Sequence, residues 1–374
     1  MPASRPIALT GMAWVTPLGD SLDGVWRRLL ACETGFVEVP HTVRLKNGLA
    51  APCAWPPDGP ADGRMRALGV STLKRALADA GLTEIGDADV VIGTSLGAFL
   101  EGEPESAPLN RYADTIAEEV GAKRPPISVS TACSSGADAI LVAAEMIRAG
   151  AAERVVCGGV DVLTTSKRLA HSILGTMSAT TLRAFDVRHD GTLIGEGAGF
   201  MVLESVEAAA ARARTPFGHL RGVGAANDAA GMTTPDAAGL GARYAMERSL
   251  ADAGVAPSEI GVVNAHGSGT PLNDATEALA LRDLFGAGAS PIVFGTKGNF
   301  GHSLGATGAI EAIATVLALR NQNVPPVYGL EQPDPAMKLT VPARVPMSLR
   351  ARYGMSVTLG FGGFDTSLLF EVPS

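Results

Sequence analysis

The chain has 374 residues, 46% apolar and 18% charged, enough to bury a sizeable core in one large domain or two tightly packed halves. A net charge of −8, with no arginine- or lysine-rich stripe, argues against nucleic acid as the main partner. No apolar run reaches the length of a membrane span, and the N-terminal stretch lacks the cleavage site of a secretory signal.

In chain order, "PIALTGMAWV" reads as a buried strand and "LDGVWRRLLAC" as a short amphipathic helix. Glu38 to Arg64 is rich in proline, glycine and aspartate and reads as loop. "RMRALGVSTLKRALADAGL" has a helical period and ends at a glycine. "ADVVIGTS" and "PISVSTA" are strands, the second running into the helix "CSSGADAILVAAEMIRAGAA". "RVVCGGVD" is a strand, and "GAGFMVLESVEAAAARA" a strand followed by a helix. The second half repeats this rhythm. "GHLRGVGAAND", "EIGVVNAHG" and "SPIVFGTKG" are strands between the helices "GLGARYAMERSLADAGV", "PLNDATEALALRDLFG" and "SLGATGAIEAIATVLALR". "YGMSVTLGFGG" and "TSLLFEV" close the chain as strands. The class is therefore α/β with mixed sheets. The likeness of "ISVSTACSSGADAILVAA" to "IVFGTKGNFGHSLGATGAIEAIA" suggests a duplicated layered unit.

Cys133 stands where a strand hands over to a helix, facing free N–H groups and the positive end of the helix dipole. That setting lowers a thiol pKa, as a nucleophile needs. A lone cysteine is more often structural, but the small neighbours Ser134, Ser135 and Gly136 leave room for a substrate. Cys32, Cys53 and Cys157 lack this setting, and no C-x-x-C pair or disulfide spacing occurs, which fits a reducing cytoplasm. His266 ends a strand, and His302 follows Lys297 by five residues in a glycine-rich loop, positions that favour catalysis over a structural role. No third ligand of suitable spacing supports a metal site. Lys297, among Gly295, Gly298 and Phe300, reads as buried and paired, with Glu311 on the next apolar helix as its candidate partner. The order lysine–glycine–asparagine does not match a phosphate-binding P-loop.

Together these segments resemble the elongating β-ketoacyl-acyl-carrier-protein synthases, over nearly the whole chain. "STACSSG" is similar to the nucleophile motif, "NAHGSGTPLND" to the first histidine motif and "GTKGNFGHSLGATGAIEA" to the lysine–second histidine motif. "FDVRHDGTLIGEGAG" and "GFGG" are similar to two further segments. The resemblance implies the thiolase fold: two duplicated halves, 1–214 and 215–374, in a five-layered α-β-α-β-α architecture. It implies that Cys133 takes an acyl chain from the phosphopantetheine arm of an acyl carrier protein, with no other cofactor. His266 and His302 would then stabilise the enolate formed when a malonyl group loses carbon dioxide. The N–H groups of Cys133 and Phe361 would hold the acyl oxyanion, and Phe361 would gate the site. Lys297 and Glu311 would hold the His302 loop. Ser268, Thr270 and Phe364 would meet substrate.

Some positions depart from the pattern. Ser268 replaces a common threonine, His189 stands at an arginine position with Arg188 one place early, and Phe364–Asp365 replaces threonine–asparagine. Phenylalanine there resembles the aromatic-polyketide ketosynthases. The segment before Cys133 is shorter than the family's by roughly thirty residues. These departures favour a specialised polyketide or polyene pathway. The alternatives are a ketosynthase-like acyltransferase without decarboxylation, or one subunit of a ketosynthase/chain-length-factor heterodimer. A homodimer or heterodimer is expected. Arg64, Arg66, Lys74 and Arg75, with Lys167 and Arg168, are candidates for docking an acidic carrier protein, against a reading of scattered solvated charge.

Overall fold

The computed structural model describes residues 4–55, 59–96, 108–286 and 291–372. Among these residues, ten strands form the principal sheet: β1 (Ile7–Val15), β2 (Asp89–Gly93), β3 (Ile127–Val129), β4 (Arg154–Asp161), β5 (Gly197–Ser205), β6 (Gly218–Asn227), β7 (Ile260–Asn264), β8 (Ile292–Phe294), β9 (Tyr353–Gly360) and β10 (Phe364–Glu371). Their spatial order is β8-β7-β9-β10-β6-β1-β5-β4-β2-β3. Outward from the central β1–β6 pair, each direction meets its own first, fifth, fourth, second and third strand. The strand directions repeat too. β1–β5 and β5–β4 are antiparallel and β4–β2 and β2–β3 parallel, and the same sequence of senses runs from β6 to β8. The two sets join through a short antiparallel ladder, Ile7 opposite Leu220 and Leu9 opposite Gly218.

The helices are α1 (Leu22–Leu30), α2 (Ala61–Asp79), α3 (Arg111–Glu119), α4 (Ser135–Arg148), α5 (Thr165–Ile173), α6 (Val206–Ala211), α7 (Leu240–Ala253), α8 (Pro271–Phe285), α9 (Lys297–Phe300) and α10 (Thr307–Asn321). α2 covers the outer face of the first strand set and α7 that of the second, while α4 and α10 pack on each other between the sets. The layering is thus α-β-α-β-α, the thiolase fold.

Strand alternation explains the division. Val156, Val160, Ile92 and Phe200 pack with Leu68, Leu73 and Ala76 of α2. Their neighbours Val155, Cys157, Val91 and Met201 join the cluster that contains α4 and α10. Strands buried on both faces read as unbroken apolar runs, as these do. α10 is buried around its whole circumference from Thr307 to Leu319, as a central helix must be. α4 and α10 approach closely because Gly136 and Gly308 carry no side chain. A Cβ on Gly308 would lie 2.6 Å from the Ala137 nitrogen, and one on Gly136 would lie 2.8 Å from the Gly305 oxygen.

Some elements differ from expectation. Within the expected loop Glu38–Arg64, Val37–Glu38 pairs with Leu49–Ala50 and α2 begins at Ala61. Residues 56–58 of that loop, and Ser290 of the expected strand "SPIVFGTKG", lie outside the described residues. That strand ends at Phe294, and Lys297 opens α9. α4 starts at Ser135, two residues after Cys133, which sits in a 3₁₀ turn instead. α3 and α5 have no counterpart in the sequence reading; each is a nine-residue helix with several polar positions.

Because the α4–α10 crossing has no room for a branched side chain, Gly308→Val should cost about 1–3 kcal/mol. Gly63→Ala, in open space on α2, is the control. Thermal unfolding of both variants checks this, and an unchanged midpoint for Gly308→Val would contradict the packing described.

Candidate active site

Two similar turns build the site. Ala132 precedes Cys133 with φ +53°, and Leu304 follows His302 with φ +49°. Each opens a 3₁₀ turn, Ala132–Ser134 or Leu304–Ala306, that leads straight into α4 or α10. A non-glycine residue in this left-handed region is strained and must be held by its surroundings. Ser135 does so at the first turn: its Oγ accepts from Thr131 N (2.9 Å) and donates to the Ala132 carbonyl (2.7 Å). At the second, Gly305 N donates to the Asp161 carboxylate at 2.9 Å.

Cys133 Sγ and His302 Nε2 lie 3.1 Å apart. Leu304 N–H donates to His302 Nδ1 at 3.2 Å, so Nδ1 is an acceptor and the ring proton sits on Nε2, facing the sulfur. The His266 ring stands edge-on to His302, with centroids 5.2 Å apart. Both rings are buried, and burial first, then the Lys297 charge, pushes both well below the ordinary histidine range. They are neutral donors, not imidazolium ions.

Lys297 is 1% exposed. Its Nζ donates to Glu311 Oε1 at 2.7 Å and to the His266 carbonyl oxygen. Burial pushes the Glu311 carboxyl up to about 7 against the pull of Lys297. Glu277 fixes the other side of the His266 turn, accepting from the N–H of His266 (2.6 Å) and of Gly267 (2.8 Å). Asp274 accepts from Gly269 N and Phe185 N, and its Oδ2 lies 3.1 Å from His189 Nδ1. His189 thus occupies its departure position with a carboxylate partner.

The Cys133 thiol does not match the expected lowered pKa. It is 4% exposed, and burial pushes it up to about 11, offset in part by Lys297 and by the N–H of Phe361. The 3₁₀ turn also separates it from the first residue of α4. Phe361 stacks on His171 at 5.7 Å and 26°. Ser268 and Thr270 hydroxyls lie 3.0 Å apart and, with Cys133, His266 and His302, line one cavity of about 250 Å³. Phe364 is 40% exposed and outside that lining, its ring over Gly362; Asp365 takes the inward position.

Sequence reasoning missed His171, Asp161, Glu277 and Asp274. "PLNDATEALAL" held two of these as carboxylates on an apolar helix, a signal of buried partners. Of the proposed docking cations, Lys167 is buried on Asp161, and Arg168 is buried, donating to the Val39 and Gly48 carbonyls. Neither is a free surface charge. Arg64 pairs with the buried Glu196. Arg66 pairs with Glu119, Arg75 with Asp20, and Lys74 is exposed. Among the described residues, no group of His, Cys, Asp and Glu side chains could hold a metal ion, and no helix is long and apolar enough to cross a membrane.

A thiol near 11 is mostly protonated at neutral pH, so iodoacetamide labelling of Cys133 in the free protein should rise about tenfold per pH unit between about pH 7 and 9. Lys297→Met should slow it further by removing the charge that favours the thiolate. Mass spectrometry of the labelled peptide checks both; a rate already flat at about pH 7 would contradict this. A second outcome concerns Asp365, buried with Oδ2 unpartnered and pushed up to about 8 by burial, then Asp228, Glu277, Asp138 and Asp236. Its folded pKa lies above its unfolded one of about 4, so its stabilising contribution is complete below pH about 4 and is lost as pH rises through about 8. Asp365→Asn should therefore gain stability relative to the wild type more at pH 9 than at pH 5, read by urea unfolding; a pH-independent difference would contradict it.

Comparison with known proteins agrees with this geometry. The family "Beta-ketoacyl synthase, N-terminal domain" matches residues 61–209, and "Beta-ketoacyl synthase, C-terminal domain" matches residues 217–331. The chain is 32% identical to 3-oxoacyl-[acyl-carrier-protein] synthase 2 of Vibrio cholerae, covering 99% of both chains. It is 31% identical to the enzyme of the same name from Synechocystis, covering 98% of both. Among solved structures, it is similar to the ishigamide ketosynthase/chain length factor, with TM-score 0.90 and 29% identity over 100% of both chains. A beta-ketoacyl synthase from Burkholderia phymatum gives TM-score 0.89 and 29% identity, over 99% of this chain and 100% of that one. The chain belongs to the β-ketoacyl synthase family.

Proposed function

We propose that this protein is a β-ketoacyl-carrier-protein synthase performing a decarboxylative Claisen condensation. The observation that carries the proposal is the 3.1 Å approach of a neutral, Nε2-protonated His302 to Cys133, with His266 beside it. Cys133 Sγ attacks an acyl thioester, and the carrier's thiol leaves with the proton. The N–H groups of Cys133 and Phe361 hold the tetrahedral oxyanion. A malonyl thioester then enters the same cavity. Its carboxylate departs as carbon dioxide, and the electron pair is held as an enolate whose oxygen accepts from His266 and His302. Neutral donors suit this step, because a cationic imidazolium would protonate the carbanion. The carbanion attacks the acyl-Cys133 carbonyl and expels the Cys133 thiolate.

Lys297, paired with Glu311, positions His266 through its carbonyl, while Ser268 and Thr270 meet the pantetheine arm at the cavity. That arm arrives with the carrier protein, and no free cofactor is needed. Phe364 with Asp365 favours a specialised polyketide or polyene pathway over housekeeping fatty-acid synthesis. It also keeps a second reading in play, acyl transfer without decarboxylation. The chain would work as a homodimer, or as the cysteine-bearing subunit of a heterodimer, with β3 an edge strand at the end of the sheet and Ile127 exposed on it. The division between the halves is placed at residues 214 and 215, which the repeated strand order supports. Four free cysteines favour a reducing cytoplasm.

Mixing with acyl carrier proteins should add the acyl mass to the wild type and not to Cys133→Ala. His302→Ala should acylate but release carbon dioxide from malonyl carrier protein about 10²–10³-fold more slowly. Acylation with no carbon dioxide release by the wild type would replace condensation with plain acyl transfer.

A further inference from the structure

His171, on α5, has no place in the chemistry above, yet it lines the same cavity as Cys133. It is 7% exposed, stacked on Phe361 and edge-on to His302 at 6.4 Å between ring centres. Because His302 itself touches Sγ, the His171 ring stands beside the first carbons of anything bound to that sulfur. Thr176 Oγ1 lies 2.9 Å from Nδ1 and 3.3 Å from the His171 carbonyl, which the N–H groups of Thr176 and Met177 also reach. Among the described residues, Nε2 has no such partner. Burial pushes the ring down to about 4, so it stays neutral at working pH. Thr192 is bonded to the same segment, its N–H reaching the Thr176 carbonyl at 2.8 Å. Its side chain, 2% exposed, also lines the cavity, and its hydroxyl has no partner.

An imidazole nitrogen and an unpaired hydroxyl lining one cavity match a group that both donates and accepts. We propose that His171 and Thr192 form a specificity subsite for a hydroxyl on the acyl chain of Cys133, near its third carbon: the substrate hydroxyl exchanges hydrogen bonds with His171 Nε2 and Thr192 Oγ1, giving to one and taking from the other. A saturated chain would leave both groups unpaired, which is how a hydrogen-bonding site rejects an analogue lacking the group. This rests on the ketosynthase reading, since it needs an acyl-Cys133.

The test compares Cys133 acylation rates by intact mass, using 3-hydroxyoctanoyl- and octanoyl-pantetheine on the wild type, His171→Phe, His171→Gln and Thr192→Val. The wild type should prefer the hydroxylated donor by about tenfold. His171→Phe should abolish the preference, Thr192→Val should reduce it, and His171→Gln, which keeps an acceptor, should retain part of it. Equal rates or a preference for the saturated donor in the wild type would overturn the subsite and leave the ketosynthase reading standing. So would equal slowing of both donors in His171→Phe, which would assign His171 to the shared arm. Acylation by neither donor would instead overturn the ketosynthase reading and the subsite with it.

Discussion

The site depends on one buried ammonium. Lys297 lies at the end of the β8 connection, essentially without solvent, and joins the Glu311 carboxylate on α10 to the carbonyl of His266 after β7. Removing one partner of such a pair strands the other charge in the interior, a loss of about 3–5 kcal/mol. The same charge disfavours protonation of His266 and His302 and favours the Cys133 thiolate. A single cation therefore fixes the geometry of one histidine and, second only to burial, tunes the electrostatics of all three reactive groups. Its own placement rests on the fold: α10 is central and buried all round, so the only way to carry Glu311 there is to pair it.

The duplicated topology supplies the second constraint. In both halves the third strand is followed, directly or by way of α9, by a 3₁₀ turn into a central helix, and both turns contain a strained residue, Ala132 or Leu304. The glycine-mediated contact of α4 with α10 brings these turns together, so that Cys133 from one and His302 from the other meet at hydrogen-bonding distance. The nucleophile is kept as a thiol there by burial. Lys297 and the Phe361 N–H pull the other way, toward the thiolate.

Much of this was legible in the sequence, for physical reasons. Doubly buried strands such as "RVVCGGVD" announce themselves as apolar runs, and glycines mark the turns around Lys297 and His302. A carboxylate on an apolar helix pointed to the Lys297–Glu311 pair, which the structure contains. What could not be read depends on long-range partners. Asp161 anchors Gly305 across 144 positions, and adjacent cations Lys167 and Arg168 look solvated until Asp161 and two loop carbonyls are placed beside them. The thiol pKa was misjudged because a helix end was weighed without the burial that outweighs it. His171 was invisible because α5 carries no motif, and only the fold turns it toward Cys133.

The central claim is that His266 and His302 are neutral donors, the proton of His302 lying on Nε2. Proton–nitrogen correlation spectra of histidine-labelled protein, recorded from about pH 8 down to about pH 5, measure this directly. Both rings should remain neutral throughout, with His302 as the Nε2–H tautomer. A ring that gains its second proton near the ordinary value of about 6.5, or a His302 protonated on Nδ1 alone, would contradict the account.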